Sequence, residues 1–271
     1  MNKQFCFLVS LPRAGNTLLG SLLNQNHNIC LTGNSILSDV LWELNLLKES
    51  KIFKNFPDVQ SYSNITNNVF KNYYKGFAAS TIIDRGMWGS PANLEQINTN
   101  VTNNPKFIVL YRPVRECLAS FVKANESLNV SEEYIMDYYL HDEGMLGRSL
   151  LSMKNLMNQH EDSFFISDWD KDSLFITYKM LAKKPEQTIK KICEFLGEKY
   201  IPIRTKNLEQ LSINGVNYDD SVLRVPLHKV NNTVVYQQID VEKYLSQQSI
   251  QKANDLDNID SLFQTKTRNN A

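Results

Sequence analysis

A chain of 271 residues, 42% hydrophobic and 21% charged, has a globular composition and the length of one large α/β domain or two small ones. Lysine plus arginine and aspartate plus glutamate both total 29, so the formal charge is zero and no global field draws nucleic acid or an acidic membrane. Any anion site is therefore local, built from a few placed cations and backbone N–H groups.

Phe5–Ser10 is short, apolar and bounded by Leu11-Pro12, which predicts a central parallel strand buried on both faces. The run is too short for a secretion signal and stops at Pro12-Arg13. Gly15 ends a tight loop, and Leu18, Leu19, Leu22 and Leu23 then recur at helical spacing over Thr17–Leu23. Ser35–Leu47 predicts an amphipathic helix with Ser35 as its cap. Asn64–Phe77 predicts a further helix, and Thr81–Ile83 a short strand leading into Asp84-Arg85-Gly86. Ser90-Pro91 opens a helix with proline at its favoured first position. Lys106–Tyr111 predicts a strand ended by Arg112-Pro113, with a helix over Val114–Lys123. Ser131–Met157 reads as a long helical region with breaks near Gly144 or Gly147, and Leu174–Tyr178 as a strand. Pro185–Leu196 is a helix with proline at its start and Gly197 just past its end. Beyond Tyr200 the signal weakens to loops, a helix near Val241–Ala253 and a frayed tail over Thr265–Ala271.

The fold class expected is α/β, a P-loop-type parallel sheet flanked by helices in a single domain spanning residues 1–271. No apolar stretch approaches the roughly 20 residues that span a bilayer. The four cysteines, Cys6, Cys30, Cys117 and Cys193, form no zinc-type cluster, so no metal is expected. Their spacing suits a reducing, cytoplasmic setting better than a disulfide framework. The triplets Asn64-Ile65-Thr66 and Asn231-Asn232-Thr233 read as chance in an asparagine-rich chain.

Leu11-Pro12-Arg13-Ala14-Gly15-Asn16-Thr17-Leu18 lies between strand and helix. N–H groups at a helix N-terminus carry partial positive charge and bind phosphate or sulfate oxygens. Gly15 lets the backbone approach an anion, Thr17 adds a hydroxyl donor, and Arg13 a fixed charge. The segment is no Walker A motif, because Gly15 is followed by Asn16-Thr17 with no lysine. In the second segment Arg112 stands at the carboxyl edge of a strand, where α/β ligands bind, and Ser120 about two turns into the next helix.

The two segments together resemble the signature pair of the sulfotransferases that use 3′-phosphoadenylyl sulfate. Pro12-Arg13-Ala14-Gly15-Asn16-Thr17 is similar to the family's 5′-phosphosulfate loop, in the arginine form of the tyrosylprotein and carbohydrate-like branches. Arg112 followed eight residues on by Ser120 is similar to the 3′-phosphate motif. Thr177-Tyr178, Lys184-Pro185 and Phe195-Leu196-Gly197 repeat a third family segment, so the resemblance runs from residue 5 to about 197.

The resemblance implies a donor site at Arg13, Ala14, Gly15, Asn16, Thr17, Leu18, Arg112 and Ser120, with Tyr178 near the adenine or the phosphates. Arg13 would steady charge on the bridging oxygen, and residues 201–271 would pack over the donor as a loop-rich part. The base that takes the acceptor's proton is open. Asp84-Arg85-Gly86 replaces the Lys-Thr-His of the cytosolic branch, with Arg85 in place of its lysine, and Asn34 replaces the glutamate of the tyrosylprotein branch, 21 residues after the loop arginine. Asp39, Asp84, His228 and Glu43 are the candidates, in that order.

The expected activity is in-line transfer of a sulfuryl group to a hydroxyl or amine of a small molecule, glycan or peptide. A non-catalytic nucleotide-binding protein of the same fold and a P-loop kinase-like enzyme are the alternatives. Acceptor identity and oligomeric state are left open.

Overall fold

The computed structural model describes residues 3–140, 145–158 and 172–257. Strands β1 (Gln4–Ser10), β2 (Ile29–Asn34), β3 (Thr81–Arg85), β4 (Lys106–Tyr111) and β5 (Ser173–Thr177) form one parallel sheet in the order β2-β3-β1-β4-β5. Cys6, Phe7 and Leu8 of β1 and Ile108, Val109 and Leu110 of β4 have no exposed surface, as central strands covered on both faces require. Burial pushes the Cys6 thiol up to about 12, so it behaves as a small hydrophobe. The first five helices are α1 (Asn16–Leu23), α2 (Leu37–Leu47), α3 (Lys51–Asn55), α4 (Val59–Thr66) and α5 (Val69–Tyr73). Then come α6 (Pro91–Asn100), α7 (Val114–Asn125), α8 (Glu132–Leu140) and α9 (Met145–Asn158). The last are α10 (Tyr178–Lys183), α11 (Pro185–Leu196), α12 (Val241–Tyr244) and α13 (Gln247–Leu256). A small hairpin, β6 (Ser212–Ile213) with β7 (Val216–Asn217), lies outside the main sheet.

Strand order fixes where a ligand can sit. From β1 the chain goes first to the edge strand β2, returns to β3 beside β1, and then crosses to β4 and β5 on the other side, so the order reverses beside β1. Such a switch point opens a crevice at the carboxyl ends of the strands. Ser10 pairs in register with Leu110, which brings Pro12-Arg13 and Arg112 side by side two or three residues beyond.

Several elements differ from the sequence expectation. Ile29–Asn34, unassigned from sequence, is the edge strand β2, and its register to β3 shifts between Leu31 and Asn34. Asn64–Phe77 is no single helix: Asn67-Asn68 separates α4 from α5. In the region Ser131–Met157 the described residues form α8 and α9, Gly147 lies inside α9, and the alternative break near Gly144 falls outside the described residues. Tyr178 opens α10 instead of closing β5, because the Thr177 hydroxyl accepts from Met180 N and caps a helix there. Ser35 sits one residue too early to cap α2, accepting from Leu37 N at 3.2 Å. The helix expected near Val241–Ala253 is two, α12 and α13. The frayed tail expected over Thr265–Ala271 lies outside the described residues.

Candidate active site

Arg13 is held in a left-handed conformation at φ 65, uncommon for a residue with a side chain. Gly15 follows at φ 100 as the N-cap of α1. Leu11 C=O binds the turn by accepting from Ala14 N at 3.2 Å and from Asn16 Nδ2 at 2.9 Å. The N–H groups of Asn16, Thr17 and Leu18 fall in the first turn of α1, where an α-helix supplies no acceptor. They are left to face a ligand.

The Arg13 Nε donates to Ser120 Oγ at 3.1 Å, and its Nη1 donates to Leu227 C=O at 2.6 Å. Arg112 Nη1 donates to Arg13 C=O at 3.1 Å, while its Nε pairs with Glu116 at 3.0 Å, four residues along α7. The Arg112 guanidinium lies 4.5 Å from the Tyr178 ring centroid. A flat guanidinium suits that face, and a lysine would not reproduce it. A Cβ on Gly15 would come within 2.8 Å of Tyr178 Cδ2, so loop and ring are in close contact.

One cleft is lined by Arg13, Gly15, Asn16, Thr17, Leu18, Arg112, Ser120 and Tyr178. Its outer wall is a strap from the C-terminal part, including Leu227, Lys229, Asn231, Thr233 and Gln237. Three cations, Arg13, Arg112 and Lys229, line it, with Glu116 paired to one of them. That local excess of positive charge in a neutral chain suits a ligand with more than one anionic group.

Ala14 turns inward with no exposed surface and its N–H is spent on Leu11 C=O, so it offers this cleft nothing. Asp39 and Arg85 line a second cleft with Pro12, Asn34, Met87 and Arg148. Burial draws the Arg85 guanidinium down from its ordinary value, and the Tyr218 hydroxyl bonded to it draws it back up. Asp84 is not open to either cleft. Its carboxylate is fully buried and accepts from Ser35 Oγ at 2.7 Å, Trp88 Nε1 at 2.9 Å and the Tyr74 hydroxyl. Burial pushes its pKa up to about 6 against the pull of those three donors. Its geometry is that of a core polar network, and Asp84, a candidate for the base, has no route to a substrate.

A third, apolar cavity of about 350 Å³ is walled by Tyr73, Tyr74, Phe77, Ile213, Val216 and Tyr218. Asn34 and Ser35 line both it and the second cleft. His228 follows Leu227 on the strap, its ring stacked on Tyr218. Glu43 lines none of the three.

Sequence reading missed Lys229, Asn231, Thr233 and Gln237, and with them Tyr218 of the apolar cavity. Only His228-Lys229, a basic pair in a loop-like run, gave any local signal. Among the described residues no group of three or more His, Cys, Asp or Glu could hold a metal ion, and no helix is long and apolar enough to cross a membrane.

No curated protein sequence matches the chain. Among solved structures, the sulfotransferase domain from the curacin biosynthetic pathway is similar at 16% identity and a TM-score of 0.54, over 94% of this chain and 98% of that one. The sulfotransferase domain of the Synechococcus PCC 7002 olefin synthase matches at 15% identity and 0.51, over 93% and 94%. Mouse sulfotransferase SULT7A1, complexed with PAP, matches at 13% identity and 0.51, over 100% and 90%. These likenesses show the fold. The model of the Sulfotransferase family matches residues 6–202, well over half of the chain, and the protein belongs to that family.

Proposed function

We propose that the chain moves a sulfuryl group from 3′-phosphoadenylyl sulfate, a co-substrate, to a hydroxyl or amine of a small-molecule, glycan or peptide acceptor. The observation that carries this reading is a single cleft in which Arg13 bonds Ser120 and Arg112 bonds the Arg13 carbonyl. Two anionic ends of one nucleotide can be gripped there together. The N–H groups of Asn16, Thr17 and Leu18 with the Thr17 hydroxyl hold the 5′-phosphate. Arg112, Ser120 and Lys229 read the 3′-phosphate, and Tyr178 flanks the nucleotide. The strap, part of the loop-rich residues 201–257, covers it.

Sulfuryl transfer resembles phosphoryl transfer in demanding alignment and charge stabilisation more than covalent work by the protein. Arg13 is the cation placed to stabilise the oxygen that bridges sulfur and phosphorus as it takes up charge. Its bond to Leu227 C=O is exchanged for that task when the donor binds. The second cleft, lined by Pro12, and the apolar cavity that shares Asn34 and Ser35 with it are where an acceptor would sit. Asp39 and Arg85 are polar groups lining that approach.

The test is transfer of ³⁵S from labelled donor to a panel of phenols, sugars, amines and tyrosine peptides. Labelled product with release of adenosine 3′,5′-bisphosphate is expected. Tight bisphosphate binding with no labelled product would favour a binding protein instead, a reading for which Asn34 in place of a carboxylate speaks. Magnesium-dependent ATP turnover would favour a kinase-like enzyme.

A further inference from the structure

Resting on the sulfuryl-transfer reading above, we propose that the apolar cavity takes the ring of a small, uncharged alcohol, and that Asp84, buried behind the cavity wall, excludes anionic acceptors from it. The lining sets the first limit. Tyr73, Tyr74, Phe77, Ile213, Val216 and Tyr218 supply flat or branched apolar surface, and no residue lining the cavity carries a charge. A volume of about 350 Å³ stands at the small end of the roughly 300–1,000 Å³ of ligand cavities, room for one or two rings rather than a glycan chain.

The hydroxyls of the wall set the second limit, because four of them are already spent. Thr32 Oγ1 donates to Gly33 C=O at 2.8 Å and accepts from Arg85 N at 3.1 Å. Ser35 Oγ donates to Asp84 Oδ1 at 2.7 Å and accepts from Leu37 N at 3.2 Å. The Tyr74 hydroxyl donates to Asp84 Oδ2, and the Tyr218 hydroxyl is bonded to Arg85. A sugar entering here would give up its water for groups that are already paired, and each buried polar group left without a partner costs affinity.

Asp84 supplies the third limit. It is fully buried, takes the protons of two wall hydroxyls and lays a carboxylate directly behind them. An anionic acceptor would meet no cation on the wall and a like charge one layer back. Arg85, the cation bonded to Tyr218, lines the second cleft and not this cavity. The β6–β7 hairpin supplies Ile213 and Val216, and Tyr218, just past it, packs so closely on Gly33 that an added Cβ would lie 2.8 Å from its hydroxyl. Asn34 and Ser35 also line the second cleft, as does Pro12 of the donor loop, so the ring lies in the cavity with its hydroxyl at the Asn34–Ser35 end.

The experiment compares 2-naphthol, 6-hydroxy-2-naphthoate, the methyl ester of that acid and methyl β-D-glucoside as acceptors for the full chain, Val216→Lys and Asp84→Asn. Donor turnover is measured at pH 8, above the value of about 6 to which burial pushes the Asp84 carboxyl, so that this group is ionised. Binding of each ring is followed by fluorescence with adenosine 3′,5′-bisphosphate present. Wild type should use 2-naphthol and the ester, with kcat/KM for the carboxylate and the glucoside lower by roughly 30-fold or more. The ester matches the acid in size, so the ratio of the two reads charge alone. Val216 is 68% exposed, so a lysine there leaves the fold intact and offers a carboxylate a partner. It should shrink the ester-to-acid ratio by roughly fivefold. Asp84→Asn removes the like charge and should shrink the ratio as well, an effect that a purely structural role would not produce. Bisphosphate affinity should stay within about twofold in both variants, since neither residue lines the donor cleft.

Equal use of acid and ester by wild type, a ratio unmoved in Val216→Lys, or glucoside turnover matching that of 2-naphthol would overturn the proposal. Should Asp84→Asn fail to fold, Val216→Lys decides alone. Ring binding with the expected selectivity but no transfer would sink the transfer reading and leave the cavity assignment standing. Transfer to other acceptors by a chain that binds neither naphthol nor ester would do the reverse.

Discussion

Gly15 stands at φ 100 with Tyr178 packed against the place a side chain would occupy. Two costs therefore meet in Gly15→Ala, left-handed backbone strain and a 2.8 Å contact. We expect a loss of about 1–3 kcal/mol in urea unfolding, with weakened bisphosphate binding because the Tyr178 face on Arg112 shifts as well. Unchanged stability would mean that the loop tolerates a different backbone path.

Asp84 makes a second prediction at this scale. Its pKa rises from 3.8 to about 6 on folding, so the folded state holds the proton more tightly than the unfolded chain. The stability this confers is fully present below pH 4 and is lost as pH rises through about 6. Relative to Asp84→Asn, the wild type should lose on the order of 3 kcal/mol between pH 4 and pH 7 in urea titrations. Parallel curves for the two proteins would contradict the buried, charge-disfavouring site. The sequence placed Asp84 at a strand end but could not show which way it faced. Its partners Ser35, Tyr74 and Trp88 come from separate segments, and strand alternation alone does not tell a core carboxylate from a catalytic one.

The helix α7 owes its placement to a distant residue. Asp257, just beyond α13, accepts from Val114 N at 2.8 Å and from the Tyr111 hydroxyl at 2.7 Å. It thereby ties the C-terminal part to the N-terminus of the helix that bears Ser120, where a negative charge is favourable. Asp257→Ala should cost about 1–3 kcal/mol in urea unfolding and weaken bisphosphate binding, because α7 loses its anchor. Full stability and affinity would show that α7 is held by its apolar packing alone.

The strap is the other element whose role depends on contacts far along the chain. The donor cleft has a free volume of about 150 Å³, below the roughly 300–1,000 Å³ of ligand clefts, with the strap as its outer wall. Val234 N–Thr205 O, Val230 N–Gln210 Oε1 and Gln237 N–Tyr178 Oη hold it to three segments. Backbone hydrogen exchange across residues 227–237 should slow when bisphosphate binds, as the strap closes on its ligand. Slowing confined to residues 11–18 would show that the strap takes no part.

These contacts explain what the sequence could and could not reveal. The loop at Arg13–Leu18 and the strand-end Arg112 were legible because their chemistry is written in a few consecutive residues between strong apolar runs. The strap was not, since no local periodicity marks an irregular segment held by long-range bonds. The strand β2 escaped for a related reason: it is a short edge strand that includes Gly33 and Asn34 and whose register slips.

At the scale of the whole molecule, sheet topology does the assembling. The reversal of strand order beside β1 sets two carboxyl strand ends next to each other, and each delivers one arginine to the same crevice. A chain with zero formal charge thereby concentrates three cations around one cleft. The central claim is that this cleft reads a 3′-phosphate as well as a 5′-phosphate.

Isothermal titration with adenosine 3′,5′-bisphosphate and with AMP, on wild type and Arg112→Ala, tests that claim most directly. Charge-assisted hydrogen bonds of about 1.5–3 kcal/mol predict that wild type binds the bisphosphate roughly 10–150-fold more tightly than AMP. In Arg112→Ala that preference should shrink by roughly tenfold, Ser120 and Lys229 remaining in place. Equal affinities in wild type, or a preference undiminished in Arg112→Ala, would contradict the account.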